Sequence, residues 1–549
     1  MKKTTIKASL VAAMIASLGL VSCSDSFLDV SSKTESNTQN FYKTQEDGYR
    51  ALIGCYDGWR KCSSNPGYGF LVASEVMGAE CFGATGNGDG RGYQVTDRFD
   101  ISQSSSDLNL YEEDWKRYYE GIYRCNEFLK YADNISWVND EISNTYIGEV
   151  RALRAIMYFD LVRWFGNIPL LVTATQDKVA QADPDEVYKT IFSDLQFAID
   201  NIPADAYPKK ESASNDGHIT KYAAEAIYAR AYLYYTGYYG KQIDGVTAEN
   251  ALKYCEDIIS SKEFSLVSEF KNLWPAASAG IAEVGDAEGL LGTYAGDGNS
   301  EVILAQKFTN TQDYNGNADS NRWQVMLGMR SVNGAPYGKG WGAMTVNPQF
   351  VNSFEAGDKR LNASIIDLAN EGVTSQDAFQ ASYKDWREYT GYCVKKYSPL
   401  CFADGTSASK IDGSGDFQTQ NHQDWVIMRY ADVLLMAAEL GSPKALDYIN
   451  EVRKRAGLNE LQSFTKAEIM KERKYEFAFE GINYWDLLRQ GVDYAASQIA
   501  TTGIAVKSGG NDDMVVIDAQ KIIEKKGLSQ IPYNQITLSG GLYKQNAGW

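Results

Sequence analysis

Between Arg151 and Leu171 the chain reads RALRAIMYFDLVRWFGNIPLL, and its apolar residues fall at helical spacing on more than one face. Val150, Leu153, Met157, Leu161 and Trp164 step by three and four along one stripe, while Ala152, Ala155, Phe159 and Val162 form a second. A helix with two apolar stripes needs two packing partners, and alanines let one of them approach closely. The segment ends with Gly166, able to take the left-handed cap conformation, and Pro169, which forbids continuation. The chain must therefore build at least one layer of helices on both sides of this one.

Helical periodicity recurs from Phe41 to Cys62, Leu110 to Tyr131, Glu141 to Phe165, Pro184 to Asn201 and Thr220 to Tyr238. KYAAEAIYARAYLYYTGYY is followed by TAENALKYCEDIISS, with Ala223, Ala226, Ala229 and Ala231 lining one helix and Ala251, Cys255, Ile258 and Ile259 the next. Small residues at the crossing and larger ones outside describe a tetratricopeptide-type helix pair, although the strict consensus is absent and a generic antiparallel pair has the same pattern. From Glu263 to Asp424 the periodicity fails. Glycine, asparagine and serine alternate there with aromatic residues including Tyr294, Tyr314, Trp323, Tyr337, Trp341 and Trp386. An irregular stretch of that length implies a binding task or packing of its own. Helices resume at Trp425–Leu440, Pro443–Arg455 and Lys466–Leu488. The expected fold is mainly α: a helical scaffold over about 41–262 and 423–490, with a loop-rich region over about 263–422, in one domain running from 23 to 549.

Lys2, Lys3 and Lys7 precede an apolar run, Ala8 to Val21, too short to span a bilayer and suited to a secretory signal. Leu20-Val21-Ser22-Cys23 looks like a lipobox, so 1–22 is read as a signal peptide and Cys23 as the acylated first mature residue. Buried acyl methylenes contribute ~0.8 kcal/mol each, enough to tether a protein without spanning the membrane.

The chain has 53 basic and 71 acidic residues. Losing the three leader lysines leaves 50 basic residues and moves the formal charge from −18 to −21. Such a surface repels phosphate backbones, which argues against nucleic-acid binding. Beyond Cys23 there are seven cysteines without a C-x-x-C pair. Cys55 and Cys62, or Cys393 and Cys401, are near enough in sequence to bridge, but buried free thiols are the reading for most. Two histidines, His218 and His422, do not make a histidine-rich zinc site. Asn87-Gly88-Asp89-Gly90 and Asp297-Gly298-Asn299-Ser300-Glu301 offer oxygen ligands at alternating spacing, yet neither completes a calcium loop. No cofactor or metal is implied, and no hydrolase elbow, phosphate loop or dinucleotide fingerprint is present.

Proteins bind sugars by laying aromatic rings against the C–H face and fixing the hydroxyl rim with carboxylate, amide or guanidinium groups. The glycine-rich loop GAECFGATGNGDGRGYQVTDRFD supplies Phe82, Asp89, Arg91 and Tyr93, and the irregular middle supplies Tyr294, Asn321, Arg322, Trp323, Tyr337 and Trp341. These ten are the candidate ligand-binding residues; for any single aromatic among them a buried loop anchor is the commoner role, while as a set they favour a carbohydrate platform. No catalytic residue is singled out. A glycoside hydrolase needs two carboxylates at a defined separation, and 71 acidic residues single out none.

Two blocks resemble a known family. R-A-x-R-A-x-x-Y-F-D-L-x-R-x-F-G-x-I-P-L and, at Glu472 to Gly491, ERKYEFAFEGINYWDLLRQG resemble the hallmark helices of the SusD/RagB family, the surface glycan-binding lipoproteins of the Bacteroidetes. Met428 to Leu440 (MRYADVLLMAAEL) and the terminus from Ile531-Pro532 to Gln545-Asn546 are further, weaker matches. The chain departs at Asn483, where many members carry a basic residue. The resemblance implies a scaffold of tetratricopeptide-type pairs and non-catalytic binding of an oligosaccharide or polysaccharide. It also implies delivery to a SusC-like TonB-dependent transporter and a place on the outer membrane facing the exterior; Asp25 and Asp29 resemble export signals for that route. The alternatives are a surface glycoside hydrolase and a helical-repeat adaptor without a small ligand.

Overall fold

The computed structural model describes residues 41–63, 68–209, 217–309, 320–371, 383–411 and 416–549. The leader, Cys23, Asp25, Asp29 and Tyr314 lie outside the described residues.

Six helices follow one another through the first half: α1 (Gln45–Cys62), α2 (Glu112–Tyr131), α3 (Asp140–Phe165), α4 (Pro184–Asn201), α5 (Lys221–Tyr239) and α6 (Ala248–Ser261). Five of the six starts, all but that of α2, are set by side chains that accept from the otherwise unpaired first N–H groups. Thr44 and Asp47 form a reciprocal capping box, while Asn139, Asp183, Thr220 and Thr247 cap singly. Gly166 and Gly240, both at positive φ, close α3 and α5. Each helix packs on the next, and α3 lies against α1 and α2 on one side and α4 on the other. Both α3 stripes are buried, Trp164 completely. Its ring stacks on Phe165 at 4.7 Å and meets Tyr111 and Phe70 edge-on at 4.9 and 5.5 Å. The alanines of α5 and the Ala251, Cys255, Ile258 and Ile259 face of α6 are likewise buried against each other.

Two expected helices are interrupted. Trp425–Arg429 is a β-strand, paired antiparallel with Val302–Gln306, and only then does α7 (Tyr430–Glu439) begin. A five-residue apolar run has no period that distinguishes a buried strand from a helical turn, and the pairing partner lies more than a hundred residues away. Lys466–Leu488 is also not continuous. After α8 (Ala445–Arg455) come α9 (Lys466–Glu476) and α10 (Asn483–Leu488), separated by a turn in which Phe479 and Gly481 take positive φ. Asn483, the departure from the family pattern, is buried at the first position of α10.

That turn carries Glu480 into a buried charge network. Arg429 donates to Glu480, Glu476 and Glu301; Arg455 reaches Glu301 and Glu476; Arg360 reaches Asp358, Glu472 and Glu476; Lys396 reaches Glu480; and Arg453 reaches Glu472. These five cations face five carboxylates, so the buried network is neutral. Burial opposes ionisation of Glu476, but Arg455, Arg429 and Arg360 hold its carboxyl down at about 2. A second set, Arg230, Arg473 and Arg489 with Asp432, Asp486 and Glu439, ties α5, α7, α9 and α10 together. Glu301, read above as a possible calcium ligand, is therefore a structural counter-ion.

The seven described cysteines are buried free thiols, so neither sequence-adjacent bridge forms. Among the described residues no helix is long and apolar enough to cross a membrane, and no acidic, histidine and cysteine cluster suits a metal ion.

Candidate functional site

The glycine-rich loop begins as the strand Cys81–Gly83, paired antiparallel with Met344–Val346, which brings the first helices' connection against the irregular middle. Backbone pairing continues past the strand: Ala84 and Thr85 donate to the carbonyls of Ala343 and Gly342 at 2.7 Å. Beneath it Trp386, fully buried, donates Nε1 to the Gly342 carbonyl at 2.8 Å. Arg387 then holds the loop in shape, its guanidinium donating to the carbonyls of Asn87, Asp89 and Gly90 at 2.7, 2.9 and 3.1 Å. Burial, and next the neighbouring Arg91, lower the Arg387 pKa.

On this foundation stands a polar rim. Asn87, Asp89 and Arg91 are exposed, and Arg330 lies between the carboxylates of Asp89 and Asp385 at 3.4 and 3.1 Å. The closeness of that clamp explains Gly86: a Cβ there would fall 2.1 Å from Arg330 Nη2. Arg330 also donates to the Trp341 carbonyl at 3.5 Å, bringing the backbone of Trp341 to the same edge; its half-buried ring packs partly on the core, with the Arg322 guanidinium 5.7 Å from its centre. A hairpin of Thr501–Ser508 and Asn511–Ile517 closes the far side, its two-residue Gly509-Gly510 turn abutting the Asn87 amide. The site thus offers amide, carboxylate and guanidinium groups beside half-buried Trp341, on a loop whose carbonyls Arg387 holds.

Of the ten sequence candidates, the structure gathers Asp89, Arg91 and Trp341, with Arg322 behind them. Six of the ten are buried. Phe82 lies inside the strand pair; Tyr93 packs on Tyr68 at 4.4 Å; Asn321 is buried, capping the 322–327 helix and donating to the Gln423 carbonyl. Arg322 is only 4% exposed and Trp323 only 3%, the latter facing Tyr397. Tyr337 is buried with its hydroxyl donating to Glu371 at 2.7 Å. For the aromatic ones the reason is shared: where regular structure is short, large side chains are what fills the interior, whereas Asn321 is buried by its capping bonds. Tyr294 is half-buried elsewhere, donating to Asp297 at 2.5 Å in a cleft of about 330 Å³ with Gln324, Asn421 and Gln423.

Sequence reasoning missed Arg330, Asp385, Arg387 and the hairpin turn. The hairpin was legible, since TGIAVKS and NDDMVVI flank exactly two glycines. Nothing local marked the two arginines, whose partners are distant in sequence.

The family model described as SusD family matches residues 300–549, and one described as starch-binding associating with outer membrane matches 78–233. The chain belongs to the SusD/RagB family. A SusD-like protein of Formosa agariphila is 25% identical over 519 residues, covering 86% of this chain and 87% of its own. The starch-binding protein SusD of Bacteroides thetaiotaomicron is 24% identical, covering 67% and 68%. Among solved structures, surface glycan-binding protein A from Bacteroides fluxus superposes with a TM-score of 0.73 at 22% identity, covering 92% of this chain and all of its own. The Bacteroides thetaiotaomicron protein of that name, in complex with laminarihexaose, gives 0.69 at 22% identity with the same coverage. These superpositions show that the SusD/RagB helical scaffold is the fold of this chain.

Proposed function

We propose that this SusD/RagB protein is a non-catalytic, cell-surface glycan-binding protein that takes an oligosaccharide or polysaccharide on the face formed by Asn87, Asp89, Arg91, Arg330, Trp341 and Asp385. The observation that carries the reading is the convergence there of three stretches far apart in sequence, 87–91, 330–341 and 385–387, fixed by Arg387 and Arg330 into a rim of hydroxyl-binding groups beside Trp341. It is supported by relatives whose names describe starch or glycan binding, one of them holding laminarihexaose. On this reading residues 23–549 act as one unit, tethered through acylated Cys23 to the outer face of the outer membrane. The unit passes its glycan to a SusC-like TonB-dependent transporter and performs no covalent chemistry.

A glycan panel tests it. Retention of a saccharide without shortening is the expected result; shortened products would make the protein a hydrolase, and neither binding nor cleavage would leave a helical adaptor.

A further inference from the structure

On the other side of Arg91 from the rim, the 91–103 segment, Glu388 and the 501–517 hairpin enclose a second cleft of about 380 Å³, within the range of small-ligand pockets. The two places share a wall. Arg91 continues the loop that Arg387 holds, and Glu388 is the next residue after that arginine. The cleft's charges are mostly matched already: Arg98 bridges Asp97 at 2.8 Å and Glu388 at 2.5 Å, and Lys521 pairs with Asp100. Asp513 and Asp518 add carboxylates from the hairpin side. One group is left over. Glu388 is 2% exposed, yet its second carboxylate oxygen has no hydrogen-bond partner. A buried polar atom without a partner costs stability unless a ligand or water supplies one. Burial, and next Asp97, push Glu388 up to about 8, so near neutrality its side chain can donate as well as accept. Beside these groups Met514 and Val516 stay 58% and 52% exposed, an apolar strip at the cleft wall.

We infer that this cleft is a second subsite of the same binding face, taking an uncharged sugar residue of the glycan whose neighbouring residues lie on the Asp89–Trp341 rim. The inference rests on the glycan-binding reading above. An anionic sugar would find Arg98 and Lys521 already paired and would face the carboxylates of Asp513 and Asp518, and a metal ion would compete with Arg98 for Glu388. A neutral polyol matches a wall that needs donors and acceptors together, with its C–H face on Met514 and Val516.

The test uses the full chain and fixed probes: laminarihexaose, maltohexaose, xylohexaose and mannohexaose, their disaccharides, and hexagalacturonate as the acidic comparison. Calorimetry is expected to show one neutral hexasaccharide bound at least fivefold more tightly than its disaccharide. Gln103→Ala and Met514→Ala, both on the cleft wall and neither in the buried ion pairs, should remove that gain and leave disaccharide affinity unchanged. Hydrogen exchange with the hexasaccharide bound should slow over 98–103 and 513–518 as well as over 85–91. Slowing confined to 85–91 and 330–342, with both variants binding as the parent does, overturns the subsite and leaves the rim standing. Preference for hexagalacturonate overturns the neutral class. Failure of every probe to bind overturns both the subsite and the reading beneath it.

Discussion

Arg429 and Glu480, 51 residues apart, meet as a buried fork, Nε to Oε2 at 2.8 Å and Nη2 to Oε1 at 2.9 Å. Each belongs to a block that resembles the family pattern, so the hallmark residues are fastened to one another rather than displayed. Arg429 also holds Glu476 at 2.9 Å and Glu301 at 2.5 Å. Arg429→Met should therefore destabilise by about 3–5 kcal/mol, because three carboxylates lose their common partner inside the protein. Arg429→Lys should recover little of this, since an ammonium cannot reproduce the planar fork. Urea denaturation midpoints decide it, and a parental midpoint would mean that the network contributes nothing.

Trp164→Ala is expected to cost about 3–5 kcal/mol, because the ring is fully buried among Phe70, Tyr111 and Phe165. Trp164→Phe keeps most of the contact and should cost clearly less. An unchanged melting temperature for the alanine variant would contradict α3 as the centre of the scaffold.

Trp323 and Trp341 should part company. Trp323→Ala opens a hole beside Tyr397 and is expected to lower the melting temperature. Trp341→Ala, at the rim, should leave it nearly unchanged while weakening oligosaccharide binding by roughly tenfold to a hundredfold, equivalent to about 1–3 kcal/mol. Equal loss of stability in both variants would remove Trp341 from the proposed platform.

Glu225 gives a pH signature. It is completely buried on α5 with neither carboxylate oxygen hydrogen-bonded, and burial, with Asp257 next, raises its pKa from 4.5 to about 8. The folded state holds this proton where the unfolded chain releases it. Its contribution is thus fully present below about 4.5 and is lost as pH rises towards 8, by up to about 1.4 kcal/mol per pH unit. Glu225→Gln should flatten that part of the profile and be more stable than the parent at pH 8. A profile indifferent to the substitution would mean that Glu225 is ionised in the folded protein.

The helical half of this protein was written locally. Caps such as Thr44 and Asn139, the period of Leu153, Met157 and Trp164, and the alanines of α5 each specify their own neighbourhood, because a helix's hydrogen bonds close within four residues. The rest was not local. The strand at Trp425–Arg429 depends on Val302–Gln306, the turn at Phe479–Gly481 on Arg429 and Lys396, and the site on Arg330 and Arg387 reaching loops that begin near residue 85. Residue types alone indicated aromatics and polar groups suited to sugars. Which of them face solvent was decided only by packing, since Trp323 and Trp341 have the same side chain in the same irregular region. One fills the interior, and the other stands at the rim because Arg330 and the strand pairing of Met344–Val346 hold its backbone there.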